Sequence, residues 1–374
     1  MARKKNTNGK MNIGDIRNAL NKKFGKKIAH DLGENPSNVK DWIPTGSRWL
    51  DSILGNKLVG GVPVGRITEI AGLEGTGKSY MAAQVAKNAL AKGLQVAYFD
   101  SEAAISSDFW DSMGISQDQN ILYFTPDHIE EMFETIEDLI INYSDESRWL
   151  FILDSLAMIP CNNDIESDFD PRSSIADKAR ITSKAMQKLI QPLSQSDSTF
   201  LVLNQLKTNI GHGKNPKYLS MKDKYNTPGG KTMNYSYSTR IWLEGRQAKD
   251  SYIYDDRGFR IGSEVKATIL KSRFGGEGRK CAFKILWSGE KISIQDEESW
   301  LDAIKKSPHL KQAGAWYTLV FQDGKEKKFQ GKQWADLVKN DSEFRGRVIE
   351  MMDEEVISKF QAREGKASDF YDIE

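Results

Sequence analysis

The chain has little cysteine: only Cys161 and Cys281, far apart, with no CxxC pair and no Cys/His cluster. That excludes a disulfide-stapled scaffold and a cysteine-bound metal centre, and it points to a reducing, intracellular compartment. Long apolar runs are also missing, and no stretch approaches the roughly 18 consecutive apolar residues of a membrane helix. The start, MARKKNTNGKMN, is basic but has no apolar segment behind it, so it does not read as a secretory signal. A cytoplasmic protein with no membrane partner is the expectation. Net charge is nearly absent, at +1 from 53 Lys+Arg and 52 Asp+Glu. Any nucleic-acid binding must therefore come from local patches rather than from a global basic field. No internal repeat is visible.

The 374 residues suffice for one large α/β domain with smaller attachments. The small net charge hides an uneven distribution. Arg3, Lys4, Lys5, Lys10, Arg17, Lys22, Lys23, Lys26 and Lys27 crowd the N-terminus, whereas Glu350, Asp353, Glu354, Glu355, Glu364, Asp369, Asp372 and Glu374 make the C-terminus acidic. Three regions follow. Residues 1–41 hold a polar start and a short amphipathic helix expected around Ile16 to Ile28, ended by a Gly33/Pro36 break. Residues 42–290 alternate strand-like runs with helical stretches, the strands being Ile67–Ala71, Gln95–Phe99, Trp149–Leu153, Phe200–Leu203, Arg240–Leu243 and Val265–Leu270. This alternation predicts a doubly wound, largely parallel α/β sheet. Residues 291–374 read as a small α+β C-terminal domain with an acidic tail.

The chemistry begins at Gly72-Leu73-Glu74-Gly75-Thr76-Gly77-Lys78-Ser79, which fits G-x-x-x-x-G-K-[ST] between a strand pattern and a helix pattern. Glycines let the backbone wrap closely around phosphate oxygens, so that amide N–H groups and a helix N-terminus face the anion. Lys78 is then expected to reach the β/γ-phosphates of ATP, and the Ser79 hydroxyl to ligate Mg²⁺. Three further strands end in polar residues at the edge where ligands of open α/β sheets collect. Asp154 closes Trp149–Leu153 and suits a magnesium partner. Glu102, with Asp100 as its competitor, suits the base that orients and deprotonates the attacking water. Gln205 closes Phe200–Leu203 and suits a γ-phosphate sensor. The polar stretch from Leu206 to Lys231 shows no element of its own and is long enough to be functional.

In order along the chain, these motifs resemble the RecA family of homologous-recombination ATPases, and within it the phage UvsX-type recombinases. The resemblance runs from Trp42 to Val356. It is carried by Val62-Pro63-Val64-Gly65-Arg66-Ile67-Thr68-Glu69-Ile70 before the phosphate loop, by Asp100-Ser101-Glu102, by Asn204-Gln205, and by Ala313-Gly314-Ala315-Trp316-Tyr317 in the C-terminal region. It implies a RecA-type P-loop core, with residues 1–41 as a polymerisation segment that packs on the next protomer of an open filament. Phe109 falls where the family stacks a ring on adenine, and a core phenylalanine is the other reading. Lys271-Ser272-Arg273 falls where the bacterial proteins place two lysines on the γ-phosphate of the neighbouring subunit. The second is arginine here, which suits an arginine finger.

The resemblance further implies two DNA-binding loops. The first, Asn162 to Ile175, leads into a helix with Arg180, Ser183 and Gln187 at phosphate-contact positions, where the family commonly has arginine in place of Gln187. The second carries Lys207, Ile210, Lys214, Lys217, Lys222, Lys224, Gly229, Gly230 and Lys231, with Ile210 as the apolar wedge between base triplets. Tyr218 and Tyr225 are aromatic candidates for base stacking. The expected activity is ATP-dependent polymerisation on single-stranded DNA, pairing with a homologous duplex and strand exchange, with a recombination mediator and a single-strand-binding protein as further partners. Two rivals share the core: a replicative helicase, for which residues 1–41 leave no room for a primase-interacting domain, and an ATP-switched annealing or regulatory protein.

Overall fold

The computed structural model describes residues 12–25, 27–35, 38–116, 121–143, 147–166, 175–209, 224–245, 251–289 and 292–357. They fall into two compact units, within Met1–Lys40 and within Asp41–Glu374. In the first, helix α1 spans Ile13–Phe24. The Asn12 side chain caps it by accepting the Gly14 N–H at 3.3 Å, and Gly25 stops it in the left-handed region at φ 63°. The helix thus starts and ends earlier than Ile16 to Ile28. Beyond Gly25 the Asn21 carboxamide accepts from the N–H groups of Ile28 and Ala29 and donates to the Ala29 carbonyl, which holds that stretch out of the helix. Ile13, Ile16, Leu20 and Phe24 are all exposed.

The second unit opens with β1 (Trp42–Ile43), α2 (Arg48–Gly55) and β2 (Val62–Pro63). It continues through β3 (Ile67–Gly72), α3 (Lys78–Ala91), β4 (Gln95–Asp100), α4 (Ser107–Ser112), β5 (Ile121–Phe124), α5 (Ile129–Tyr143) and β6 (Trp149–Asp154). Then come α6 (Asn162–Glu166), α7 (Ile175–Gln195), β7 (Thr199–Gln205), β8 (Lys207–Thr208), β9 (Tyr225–Asn226), α8 (Gly230–Ser236) and β10 (Thr239–Gly245). After these, β11 (Tyr252–Tyr254), β12 (Arg260–Ser272), β13 (Lys280–Leu286) and β14 (Ser293–Gln295) complete one large sheet. Its strand order is β14-β13-β12-β10-β3-β7-β6-β4-β5, with β11 on β12. From β5 to β10 all neighbours are parallel, and beyond β10 they are antiparallel.

Helices cover both faces, so the central strands are apolar on both sides. Along β6 the residues alternate between two cores. Leu150 and Ile152 join Ile70, Met81, Val85, Tyr98 and Leu203, while Trp149, Phe151 and Leu153 join Ile136, Met186, Phe200 and Val202. This sheet is the α/β, mostly parallel architecture that the sequence predicts. Its register also places the site, because Asp100 pairs with Asp154 and Gly72 with Gln205, so four strands end together along one edge.

One expectation needs correcting. The stretch Leu206 to Lys231 is not without elements: β8 pairs with β9 through Lys207↔Asn226 and Thr208↔Tyr225, and α8 begins at Gly230. A two-residue polar strand is too short to leave a periodic signal. Residues 210–223, and with them Ile210, Lys214, Lys217, Tyr218 and Lys222, lie outside the described residues.

The C-terminal part comprises α9 (Asp296–Ile304), antiparallel β15 (Leu310–Ala313), β16 (Trp316–Val320) and β17 (Glu326–Gln330), then α10 (Trp334–Asn340) and α11 (Ser342–Val356). Its own core gathers Trp300, Leu319, Phe329, Trp334, Phe344 and Met351.

Candidate active site

Strand β3 runs directly into the glycine-rich loop, and helix α3 starts at Lys78. Gly75 and Gly77 have φ of 68° and 82°, which favour glycine. Gly77 is needed for space as well, since a Cβ there would meet Ile285 Cδ1 at 2.5 Å. Thr76 Oγ1 donates to the Leu73 carbonyl at 2.8 Å and braces the turn. Lys78 Nζ donates to the carbonyls of Leu73 at 3.0 Å and Gly72 at 3.3 Å. Burial pushes its amine below the usual lysine range, against the upward pull of Asp154, Glu102 and Glu74.

The carboxylates divide the work between them. Ser79 Oγ and the Tyr98 hydroxyl each donate to Asp154 Oδ2 at 2.7 Å. Burial raises the Asp154 carboxyl and these two bonds lower it. Asp100 is spent on structure. Its Oδ1 accepts the Glu102 N–H at 2.9 Å, and its Oδ2 accepts from Ala104 N–H, Ile105 N–H and the Tyr123 hydroxyl. Glu102, on the loop that Asp100 shapes, lines the cleft. Its Oε1 accepts from Ser155 Oγ at 2.6 Å and from Gln205 Nε2 at 3.2 Å. Between the two candidates for the base, therefore, Asp100 is buried and already accepts four hydrogen bonds, whereas Glu102 is exposed and lines the cleft.

Beneath this edge sits an ion pair that periodicity did not flag. Glu69 on β3 is 0% exposed and Arg240 on β10 is 11% exposed, with 2.6 Å between Nε and Oε2. Asn204 Nδ2 donates to Glu69 Oε1 and to the Pro228 carbonyl, both at 3.1 Å, and an Arg240 terminal nitrogen donates to Thr227 Oγ1 at 3.0 Å. One buried carboxylate thus ties the strand entering the phosphate loop to the residue before Gln205 and to the returning end of the loop beyond it. Removing one partner of such a pair typically costs about 3–5 kcal/mol. A charged residue in the middle of a fully buried strand was the available signal.

The cleft, about 430 Å³, is completed by walls that the sequence did not reveal: Tyr80 from α3, and Arg260, Ser263, Val265, Ile285 and Trp287 from or beside β12 and β13. Phe109 lies behind this wall. It packs edge-on against Tyr80, with ring centroids 5.1 Å apart, and joins Ala83, Met113 and Ile115.

Lys271 and Arg273 do not enter the cleft. Lys271 lines a separate groove with Asn226, Asn234 and Arg240. Its Nζ donates to the Asn234 carbonyl at 2.6 Å, and a terminal nitrogen of Arg273 donates to the Tyr235 carbonyl at 3.1 Å. Both acceptors belong to the last turn of α8, whose carbonyls carry partial negative charge. Burial, with Arg273 and Arg240 nearby, lowers the Lys271 amine.

Among the DNA candidates, Arg180 projects from α7 with its side chain 76% exposed and paired to Asp177 at 2.9 Å; Ser183, one turn on, is half-buried. Lys207 is exposed on β8. Tyr225 is half-buried against Leu206, Trp242 and Leu270. Gly229 precedes α8 at φ 105°, and a Cβ there would approach Met233 and Leu156. Gly230 begins that helix, and the Lys231 side chain lies outside the described residues.

Comparison with known proteins places these features in a family. Residues 12–293 match the family model described as the RecA N-terminal domain. Protein RecA of Sulfurovum sp. is 29% identical over 338 residues, covering 90% of this chain and 90% of its own length. Protein RecA of Bifidobacterium longum is 31% identical over 299 residues, 80% of this chain and 70% of the relative. Protein RecA of Streptomyces avermitilis is 29% identical over 299 residues, with 80% and 73% covered.

Proposed function

The chain belongs to the RecA family, and from that premise we propose that it is a DNA-dependent ATPase that forms filaments on single-stranded DNA, pairs it with a homologous duplex and exchanges strands. The observation that carries this reading is the hydrogen bond between Glu102 and Gln205, 3.2 Å long, in the cleft of the phosphate loop. It joins the group that would activate water to the residue from which the chain departs into the lysine-bearing loop. A γ-phosphate that engages Gln205 changes the restraint on that loop, and DNA held by the loop changes the restraint on Glu102. Coupling of this kind needs only that nucleotide and DNA favour the same arrangement.

The residue roles follow. Gly72 to Ser79 cradle the phosphates of ATP, Lys78 neutralises them, Glu102 orients the attacking water, and Gln205 reports the γ-phosphate. Ser79 and Asp154 suit Mg²⁺, which typically takes one or two protein oxygens, phosphate oxygens and water. Their mutual bond at 2.7 Å fits a hydroxyl on the ion with the carboxylate behind it. When bound, Mg²⁺ would screen the phosphate charge. Lys271 and Arg273 act on the nucleotide of the neighbouring protomer, and residues 1–41 link protomers head to tail. DNA meets Arg180, Ser183, Lys207, Ile210, Gly229, Gly230 and Lys231. Residues 42–290 form the catalytic and DNA-binding core, and residues 291–374 a C-terminal domain with an acidic tail. A phage UvsX-type member, working in the host cytoplasm with a mediator and a single-strand-binding protein, is the finer form of this reading, and Arg273 in place of lysine supports it.

Steady-state ATP hydrolysis with and without single-stranded DNA, beside Lys78→Ala, tests the proposal. Strong stimulation that the variant abolishes is the expected result. Hydrolysis indifferent to DNA would refute the recombinase reading.

A further inference from the structure

The cleft holds a second cation that the roles above leave unused. Arg260 opens β12 and lines the same cleft as Glu74, Gly75 and Lys78. Its guanidinium carbon lies 3.9 Å from the centre of the Tyr252 ring and 5.0 Å from that of Trp287. Sheet pairing anchors the backbone of both residues: Tyr252 is paired with Ser263, and the Trp287 backbone N–H donates to the Ile261 carbonyl at 2.9 Å. Gly262 lets the strands close here, since a Cβ would meet Leu286 Cδ2 at 2.4 Å and the Ile285 carbonyl at 2.6 Å.

A guanidinium gripped by aromatic rings is oriented without being neutralised, so its N–H edge stays available to an acceptor. Among the described residues Arg260 makes one hydrogen bond, from Nε to the Gly262 carbonyl at 3.4 Å, and pairs with no carboxylate. Asp255, in the turn just before it, accepts instead from the N–H groups of Arg257 and Phe259. The phosphate half of a nucleotide belongs with the loop from Gly75 to Ser79. The remaining wall, with Tyr80, Val265, Ile285 and Trp287, is apolar and aromatic and suits a flat base. Arg260 stands on that wall beside Trp287.

We propose that Arg260 is a nucleotide-specificity residue, its guanidinium edge donating hydrogen bonds to acceptor atoms on the base and sugar of the bound nucleoside triphosphate. This rests on the reading of the cleft as an ATP site and adds the group that recognises the nucleoside. Lys78 and the loop amides hold any polyphosphate, and Arg260 distinguishes one that carries a nucleoside.

Calorimetric titration of the full chain with Mg²⁺ and either ADP or inorganic tripolyphosphate tests the assignment in wild type, Arg260→Ala and Arg260→Lys. The alanine variant should lose about tenfold or more in ADP affinity, the effect of one charge-assisted hydrogen bond, while tripolyphosphate affinity stays within about twofold. Lysine should restore only part, because an ammonium neither stacks nor forks. Equal losses for both ligands would overturn the proposal and put Arg260 on the phosphates or in a structural role. Unchanged ADP affinity would overturn it too. Wild-type protein that binds neither ADP nor ATP would sink the ATPase reading itself and this proposal with it.

Discussion

The cleft and the groove each present cations, but they are built in opposite ways. In the cleft, Lys78 has Asp154 and Glu102 within its electrostatic reach, Ser79 is bonded to Asp154, and Glu102 is bonded to Gln205, all within one chain. Lys271, which lines the groove, and Arg273 two residues on donate to backbone carbonyls at the end of α8. A hydrogen bond to a neutral carbonyl is worth about 1 kcal/mol net, and one to a phosphate roughly twice that. On the proposed reading the cleft takes the nucleotide, while Lys271 and Arg273 rest on neutral acceptors that a phosphate would displace. On that reading this contrast divides the active site between protomers, the cleft on one and Lys271 with Arg273 on the next.

The largest expected break in the comparison comes from Arg273→Ala. If the guanidinium serves the neighbour, DNA-stimulated hydrolysis should fall by about 10³-fold, the usual worth of an arginine finger. Nucleotide affinity of the unassembled protein should not change, because Arg273 is not part of the cleft. A matching loss of affinity by calorimetry would place the side chain in its own nucleotide site and end the contrast.

Gln205→Ala sharpens the comparison from the cleft side. ATP binding should persist, and the stimulation by single-stranded DNA should drop about tenfold, a typical coupling between two sites. Stimulation equal to wild type would remove Gln205 as the link.

The smallest effect belongs to Tyr98→Phe. Burial raises the Asp154 carboxyl, and the Tyr98 hydroxyl partly offsets it. Losing that bond raises the carboxyl further, so more of it is protonated in mild acid and the acid limb of Mg²⁺-dependent hydrolysis should move to higher pH. For folding without ligand the sign is reversed. A carboxyl raised in the folded state adds stability at low pH, and that stability is lost as pH rises through its folded value. Pairing lost with Tyr98 should cost about 1 kcal/mol in thermal unfolding. The groove gives the control, since the Arg273 guanidinium does not titrate. An unmoved acid limb would mean that Asp154 does not set it.

The sequence shows most clearly what depends on local order. The phosphate loop is contiguous, and Asp154 and Gln205 each close an apolar run, so their place at the strand ends follows from pattern alone. Glu69 and Arg240 are different. They meet because β10 lies beside β3, an adjacency that skips far along the chain, and periodicity reports which face a residue occupies but not which strand comes next. Tyr98 and Ser155 were hidden for the same reason, one as a core aromatic and the other as a residue after a strand. The Arg260 and Trp287 wall depends on antiparallel strands folding back over the loop, and β8 and β9 are too short and polar to leave any period. The hydrogen bonds that Asp100 accepts from Ala104, Ile105 and Tyr123 are likewise absent from the strand pattern that leads to both acids.

The most direct test of the split site mixes two inactive proteins. Lys78→Ala lacks a working cleft but keeps its groove, and Arg273→Ala has the reverse defect. Each alone should show almost no DNA-dependent hydrolysis. An equimolar mixture on single-stranded DNA should recover it, because in random head-to-tail order about a quarter of the interfaces join an intact cleft to an intact groove. Recovery to that order is the predicted result. A mixture as inactive as its components, under conditions where both variants still co-assemble on DNA, would contradict the claim that the groove completes the active site of a neighbour.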